Sequence, residues 1–206
     1  MLLQNKAPKK SSWKGTCDAL IFSYYEKKLR TAAETNSGMK RLNIQLNSLH
    51  STHPMFQNVT NPREVQKLKR QLKVLSGDFY TNSIIGERQG TSQKCLLCEY
   101  LCEDDIHVLG LNGCPALMAP KARIFNEMTE AAANFQPPLT ISTDDNVFMQ
   151  YVCDPTSYNL PPSSRVNLNK LGECDIMFKL TRDYVFTITQ LRAKKIEEIL
   201  GNKVQK

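Results

Sequence analysis

Apolar residues recur at helical spacing in several stretches of this chain, with Gly, Pro and Asn between them. From Thr16 to about Asn36, Ala19, Leu20, Phe22, Tyr24, Leu29 and Ala33 predict a first helix, and Asn36-Ser37-Gly38 supplies its stop. Pro62-Arg63-Glu64, with Asn61 as cap, opens a second helix that runs to about Ser76 and is closed by Gly77. Its apolar positions Val65, Leu68, Leu72 and Leu75 share one face, and Lys67, Lys69, Arg70 and Lys73 fill the remaining arc. A third helix is predicted from about Ala119 to Asn134, stopped by Pro137-Pro138.

Val147, Phe148, Tyr151 and Val152 predict a short helix. A long amphipathic helix over about 169–200 follows from Leu171, Ile176, Phe178, Tyr184, Phe186, Ile188, Leu191, Ile196 and Ile199. No alternating pattern predicts a large sheet, and no repeat is visible. Residues 1–12 (Lys6, Pro8, Lys9, Lys10, Ser11 and Ser12) read as a disordered basic arm. Residues 43–61 read as irregular, and 136–143 and 154–170, rich in Pro, Ser and Asn, read as linkers.

Charge changes this picture by dividing it. Residues 1–94 carry sixteen Lys/Arg against six Asp/Glu, and residues 95–206 carry eleven against fourteen, so +10 and −3 compose the net +7. A basic half favours a polyanion, most simply nucleic acid, whose phosphates Lys67, Lys69, Arg70 and Lys73 would meet without reading sequence. Lys9, Lys10 and Lys14 would add a flexible electrostatic arm. Phe79 and Tyr80 are candidates to stack on a base, although core packing is the commoner use of such residues. The start of the chain has no apolar run of signal-peptide type and no stretch is long enough to span a bilayer, so the expectation is an intracellular protein, nuclear or cytoplasmic, with no membrane partner.

In a reducing compartment, seven cysteines read as thiols or metal ligands. Cys17, Cys153 and Cys174 are isolated and read as small buried residues. The others form the run Cys95-x2-Cys98-x8-His107-x6-Cys114, with Cys102 inside it. A two-residue gap lets one tight turn aim two sulfurs at one ion, and a later His/Cys pair completes a tetrahedron, which points to structural zinc. Cys102 is an alternative ligand, in place of His107, or a thiol behind the site. Glu99, Glu103, Asp104 and Asp105 give this loop local negative charge.

These residues also carry a family likeness. Leu72-Lys-Val-Leu75-Ser-Gly77-Asp-Phe-Tyr80, Cys95-Leu-Leu-Cys98, Glu103-Asp-Asp-Ile-His107 and Cys114-Pro-Ala-Leu117 resemble the zinc-binding segment that follows the polymerase in non-LTR retrotransposon reverse transcriptases. Trp13, Tyr24 to Leu29, Arg41-Leu42-Asn43, His53 to Phe56 and Pro62 to Val65 resemble the stretch before it, and Val152 to Pro155 and Arg182 to Arg192 the tail. The resemblance implies a region that helps grip template RNA or target DNA. Two departures stand out: six residues, not the family's usual four or so, separate His107 from Cys114, and Thr189 stands before Arg192 where a histidine is common.

The aromatic-x-Asp-Asp hairpin of a polymerase is missing, since Asp104-Asp105 follows Cys102 and Asp144-Asp145 follows Ser142 at the aromatic position. Both pairs read as solvated acids, Asp144 with a helix-start role. The expectation is therefore a mainly α protein, a small helical domain with a zinc-stabilised loop and a long C-terminal helix. It divides into the arm 1–12, a basic helical segment 13–92, a zinc-binding segment with its following helix 93–135, a linker with a short helix 136–170, and the C-terminal helix 171–206. The expected function is non-catalytic, non-specific nucleic-acid binding with no small-molecule substrate. The alternatives are a structural or protein-interaction domain using the C-terminal helix, and a retroelement remnant without cellular function.

Overall fold

The computed structural model describes residues 10–35, 53–157 and 159–204. Among the described residues there are seven α-helices and no strand. They are α1 (Lys10–Thr35), α2 (Pro62–Leu75), α3 (Asn82–Gln89), α4 (Asp105–Leu109), α5 (Met118–Ala133), α6 (Asp145–Cys153) and α7 (Leu171–Val204). The predicted arm up to Lys9, the glycine stop after α1 and most of 43–61 lie outside the described residues. Residues 10–12, expected in the arm, belong to α1.

Local chemistry sets the helix ends. Asn61 Oδ1 accepts the Glu64 backbone N–H at 2.9 Å, so the cap and Pro62 start α2 as the sequence predicts. Asp144 Oδ1 accepts the N–H groups of Asn146 and Val147, each at 3.0 Å, and starts α6. Gly77, at φ 73°, adopts the left-handed conformation that closes α2.

The core is organised around α7, against which α2, α4, α5 and α6 all pack. Its buried positions are Cys174, Met177, Phe178, Thr181, Arg182, Tyr184, Val185, Ile188 and Thr189, a stripe that alternates between three and four residues. The sequence reading misplaced part of this face. Leu171 and Ile176 are exposed, whereas Thr181, Arg182 and Thr189 are buried because each finds a partner. Gln71 of α2 donates to Val152 O at 2.9 Å and to Thr181 Oγ1 at 3.3 Å, and Arg182 Nη1 donates to Met55 O at 3.1 Å. Facing this stripe are Leu68, Val74 and Leu75 of α2, Ile124, Met128 and Ala132 of α5, and Phe148, Met149 and Val152 of α6.

Residues 136–170 are not a linker. Asp154, Ser157 and Leu160 are essentially inaccessible, and Phe148, Tyr151 and Cys153 of α6, just before them, are core. Polar and proline residues are tolerated here because they satisfy one another locally. Asp154 Oδ1 accepts from Thr156 N at 2.9 Å and Thr156 Oγ1 at 2.6 Å, and Val166 N donates to Pro155 O at 2.9 Å. For the same reason α7 is no separate unit: most of its length is the common wall of the core. By contrast, Trp13, Leu20, Ile21, Tyr24 and Tyr25 of α1 are exposed. No helix among the described residues is long and apolar enough to cross a membrane.

Candidate metal centre

The segment between α3 and α5 brings Cys95, Cys98, His107 and Cys114 together, with their ligand atoms all within 4.8 Å of one another. Cys95 Sγ lies 3.9 Å from Cys114 Sγ, and Cys98 Sγ lies 3.3 Å from His107 Nε2. This donor set, three sulfurs and one imidazole nitrogen, could hold a metal ion. Cys102 is outside the cluster, its Sγ directed at Gln93 Oε1 at 3.8 Å, so the geometry does not support it as a replacement for His107.

Two local devices build the cluster. The first is a tight turn: Glu99 N donates to Cys95 O at 2.8 Å, Glu99 takes a positive φ of 61°, and Cys95 N donates to Tyr100 O at 2.9 Å. The Leu97 and Cys98 backbone N–H groups are thereby aimed at the Cys95 sulfur, as the Ala116 N–H is at Cys114. N–H groups pointed at a thiolate stabilise its charge and fix its direction.

The second device carries His107. Asp104, read from sequence as a solvated acid, instead caps α4, its Oδ1 accepting the His107 N–H at 2.6 Å. The six residues from Val108 to Gly113 finish α4 and turn through Gly110, whose N–H donates to Ile106 O at 2.7 Å. Cys114 N then returns to His107 O at 2.7 Å. The longer spacing is thus taken up by a helical end and a turn. Gly113 is required there, because a Cβ would lie 2.2 Å from His107 O. Asn112 moors the turn to the start of α6, donating from its backbone to Asp145 Oδ1 at 3.0 Å and from its amide to Thr143 O at 3.1 Å.

Around the cluster, Tyr100 stacks on the His107 ring, with centroids 4.8 Å apart and planes 6° from parallel. Lys121 of α5 is fully buried, its Nζ donating to Gly110 O at 2.5 Å; burial pushes its pKa down to about 8. Glu103, expected to be loop charge, is fully buried and accepts from Asn82 N at 3.1 Å and from Arg192 Nη2 of α7. It ties the cysteine turn to the start of α3 and to α7 at once.

Burial pushes the Cys95 and Cys114 thiols well up and pulls His107 below its usual range. Cys95 and Cys114 therefore keep their protons near pH 7 until a cation replaces them, and low pH opposes metal uptake. Four protein ligands leave no open position for substrate, so such a centre would be structural.

The predicted phosphate contacts divide sharply. Lys67 is a correction: it is buried, with Nζ 2.6 Å from Glu64 Oε1 and in contact with Asp183 of α7. Burial is the largest single effect and acts to lower its pKa, but the two carboxylates together outweigh it, neutralise the ammonium and hold its pKa above the usual lysine range. Arg70 is half-buried, donating to Thr189 Oγ1 at 2.7 Å with its guanidinium 4.9 Å from the Phe186 ring centroid. Lys69 is exposed, and Lys73 is half-exposed with its Nζ 5.3 Å from the Tyr80 ring centroid. Phe79 packs against the core, whereas Tyr80 is 55% exposed.

Compared with known proteins, the chain gives no match: no family model, curated protein or solved structure aligns with it.

Proposed function

We propose that this protein is a non-catalytic, zinc-stabilised helical module that binds nucleic acid through its phosphate backbone. The observation that carries the binding role is the outer face of α2. There Lys69, Arg70 and Lys73 stand together beside Tyr80, and among the described residues no carboxylate lines the cleft they form. Three cations without a neutralising acid attract a polyanion, and such cations meet phosphate without reading base edges.

Zinc is the metal the donor set fits. A thiolate–zinc bond of about 2.3 Å implies tetrahedral sulfur–sulfur edges of about 3.8 Å and sulfur–nitrogen edges of about 3.6 Å. The distances of 3.9 Å between Cys95 and Cys114 and 3.3 Å between Cys98 and His107 are close to both. The zinc would hold the segment after α3 against α5 and α7; it would take no part in a reaction. The likeness to the segment after the polymerase in non-LTR retrotransposon reverse transcriptases agrees with this reading and suggests the setting in which such a module works.

Binding to a mixed-sequence oligonucleotide should weaken steeply with salt. Each phosphate contact contributes about 0.9 to the slope of log K against log salt on duplex DNA. Lys69→Gln together with Lys73→Gln should therefore flatten that slope by about two. Lys67→Gln should leave the slope alone and lower thermal stability, since Asp183 loses its ammonium partner and Glu64 keeps only Arg182. A folded sample with no salt-dependent binding would contradict the proposal.

A second reading, a protein-interaction module, finds its support in α1 rather than α7. Trp13, Leu20, Ile21, Tyr24 and Tyr25 are exposed on one helix and free to meet a partner, whereas Tyr184, Val185 and Ile188 of α7 are consumed by the core.

A further inference from the structure

Gln66, Lys69, Arg70, Lys73, Phe79, Tyr80 and Thr189 line a cleft of about 290 Å³ between α2, the loop before α3 and α7. Four features of this cleft go together. Its volume is near the lower bound of about 300 Å³ for small-ligand sites, enough for one flat ring system. Its walls carry three cations and no carboxylate. Tyr80 presents a largely exposed ring, 55% accessible, with the Lys73 ammonium 5.3 Å from its centroid. Finally, Arg70 is pre-positioned by Thr189 Oγ1 and the Phe186 ring and needs no ordering on binding.

A cation near an aromatic ring suits a nucleotide of a single strand, whose base can stack on the ring while the attached phosphate meets the charge. In a duplex the bases are already stacked inside and have no face to offer. Phe79, the other aromatic of the pair, is anchored in the core and keeps Tyr80 at the rim.

From this geometry we infer that the cleft beside α2 is a stacking subsite that selects single-stranded over double-stranded nucleic acid, with Tyr80 as the platform and Lys69, Arg70 and Lys73 as the phosphate contacts. This deepens the nucleic-acid reading above and rests on it. Base–aromatic stacking contributes about 1–3 kcal/mol per base, so Tyr80 should account for about tenfold or more in affinity. Gln66, at the edge of the cleft, offers an amide to whichever base edge arrives, which favours tolerance of sequence.

The test compares the full-length protein and its Tyr80→Leu and Tyr80→Phe variants on a short oligothymidine, a duplex of equal length, and heparin, a polyanion without bases. Tyr80→Leu should weaken oligothymidine binding about tenfold and change duplex and heparin binding less than twofold, while Tyr80→Phe, which keeps the ring, should bind as the parent does. As a readout of stacking itself, Tyr80→Trp in a Trp13→Phe background should lose indole fluorescence on adding oligothymidine and keep it on adding heparin. If the parent binds duplex and heparin as tightly as oligothymidine and Tyr80→Leu changes nothing, the stacking subsite is overturned while the phosphate-binding role stands. No binding to any of the three by the folded protein would overturn both.

Discussion

Replacing Cys114 by serine is expected to abolish the proposed zinc binding and to remove on the order of 10 kcal/mol of stabilisation, the size of a structural zinc contribution at neutral pH. A domain of this kind is stable by only about 5–15 kcal/mol, so the variant should be largely unfolded at room temperature or folded only outside residues 93–117. Cys114 is fully buried, and the turn before it is fixed to His107, Asp145 and Thr143, so loss of the ion leaves buried thiols and an imidazole with nothing to organise them. Cys95→Ser should behave in the same way. Cys102→Ser should shift the melting temperature hardly at all, because Cys102 is only half-buried and stands outside the cluster. Calorimetry of the three variants with and without a chelator makes the comparison. A chelator that leaves the parent's melting temperature unchanged would remove the metal from the account.

Truncation at Gly172 is the second large effect. It deletes Cys174, Met177, Phe178, Tyr184, Val185 and Ile188, all inaccessible in the fold. With each larger apolar side chain worth about 1.5–3 kcal/mol when buried, their loss is about 10 kcal/mol and comparable to the whole stability. The deletion also removes Arg182, which donates to Met55 O, and Arg192, the partner of buried Glu103, so both the α2 face and the cysteine turn lose their anchors. The truncated chain should show a collapsed helical circular-dichroism signal and rapid proteolysis. A truncated chain that stays folded and merely stops self-associating would instead make α7 a partner-binding helix.

The residues that could be read in advance were those whose role is local. Asn61, Pro62 and Gly77 bound α2 through backbone rules that act within one turn, and Cys95, Cys98, His107 and Cys114 met because ligand spacing is itself a short-range geometry. The helices α2, α6 and α7 followed from apolar periodicity, and the end of α5 from Pro137-Pro138. What escaped was long-range or too short to be periodic. Lys67 looked like a free cation on the polar arc of α2 because nothing nearby in sequence shows that Asp183 on α7 will reach it. Glu103 looked like loop charge because its partner, Arg192, arrives from the far end of the chain. α3 and α4 have eight and five residues, too few for a helical period to emerge from background. The stretches flanking α6, 136–143 and 154–170, read as linkers because their Pro, Ser and Asn content resembles a loop, although groups such as Asp154 and Thr156 bury by bonding one another.

These observations place the metal segment at a mechanical junction. Through Glu103 it reaches α3 and α7, through Lys121 it reaches α5, and through Asn112 it reaches α6. A metal there would set the position of α3, and with it Tyr80 just before its start, relative to the cations of α2. On the proposed function, nucleic-acid binding and metal content should therefore be coupled.

The measurement that bears most directly on this account is zinc stoichiometry together with X-ray absorption at the zinc edge on the purified, folded protein. The account predicts one zinc per chain with three sulfurs at about 2.3 Å and one nitrogen at about 2.0 Å. A folded protein without zinc, or a zinc held by four sulfurs with Cys102 in place of His107, would contradict it.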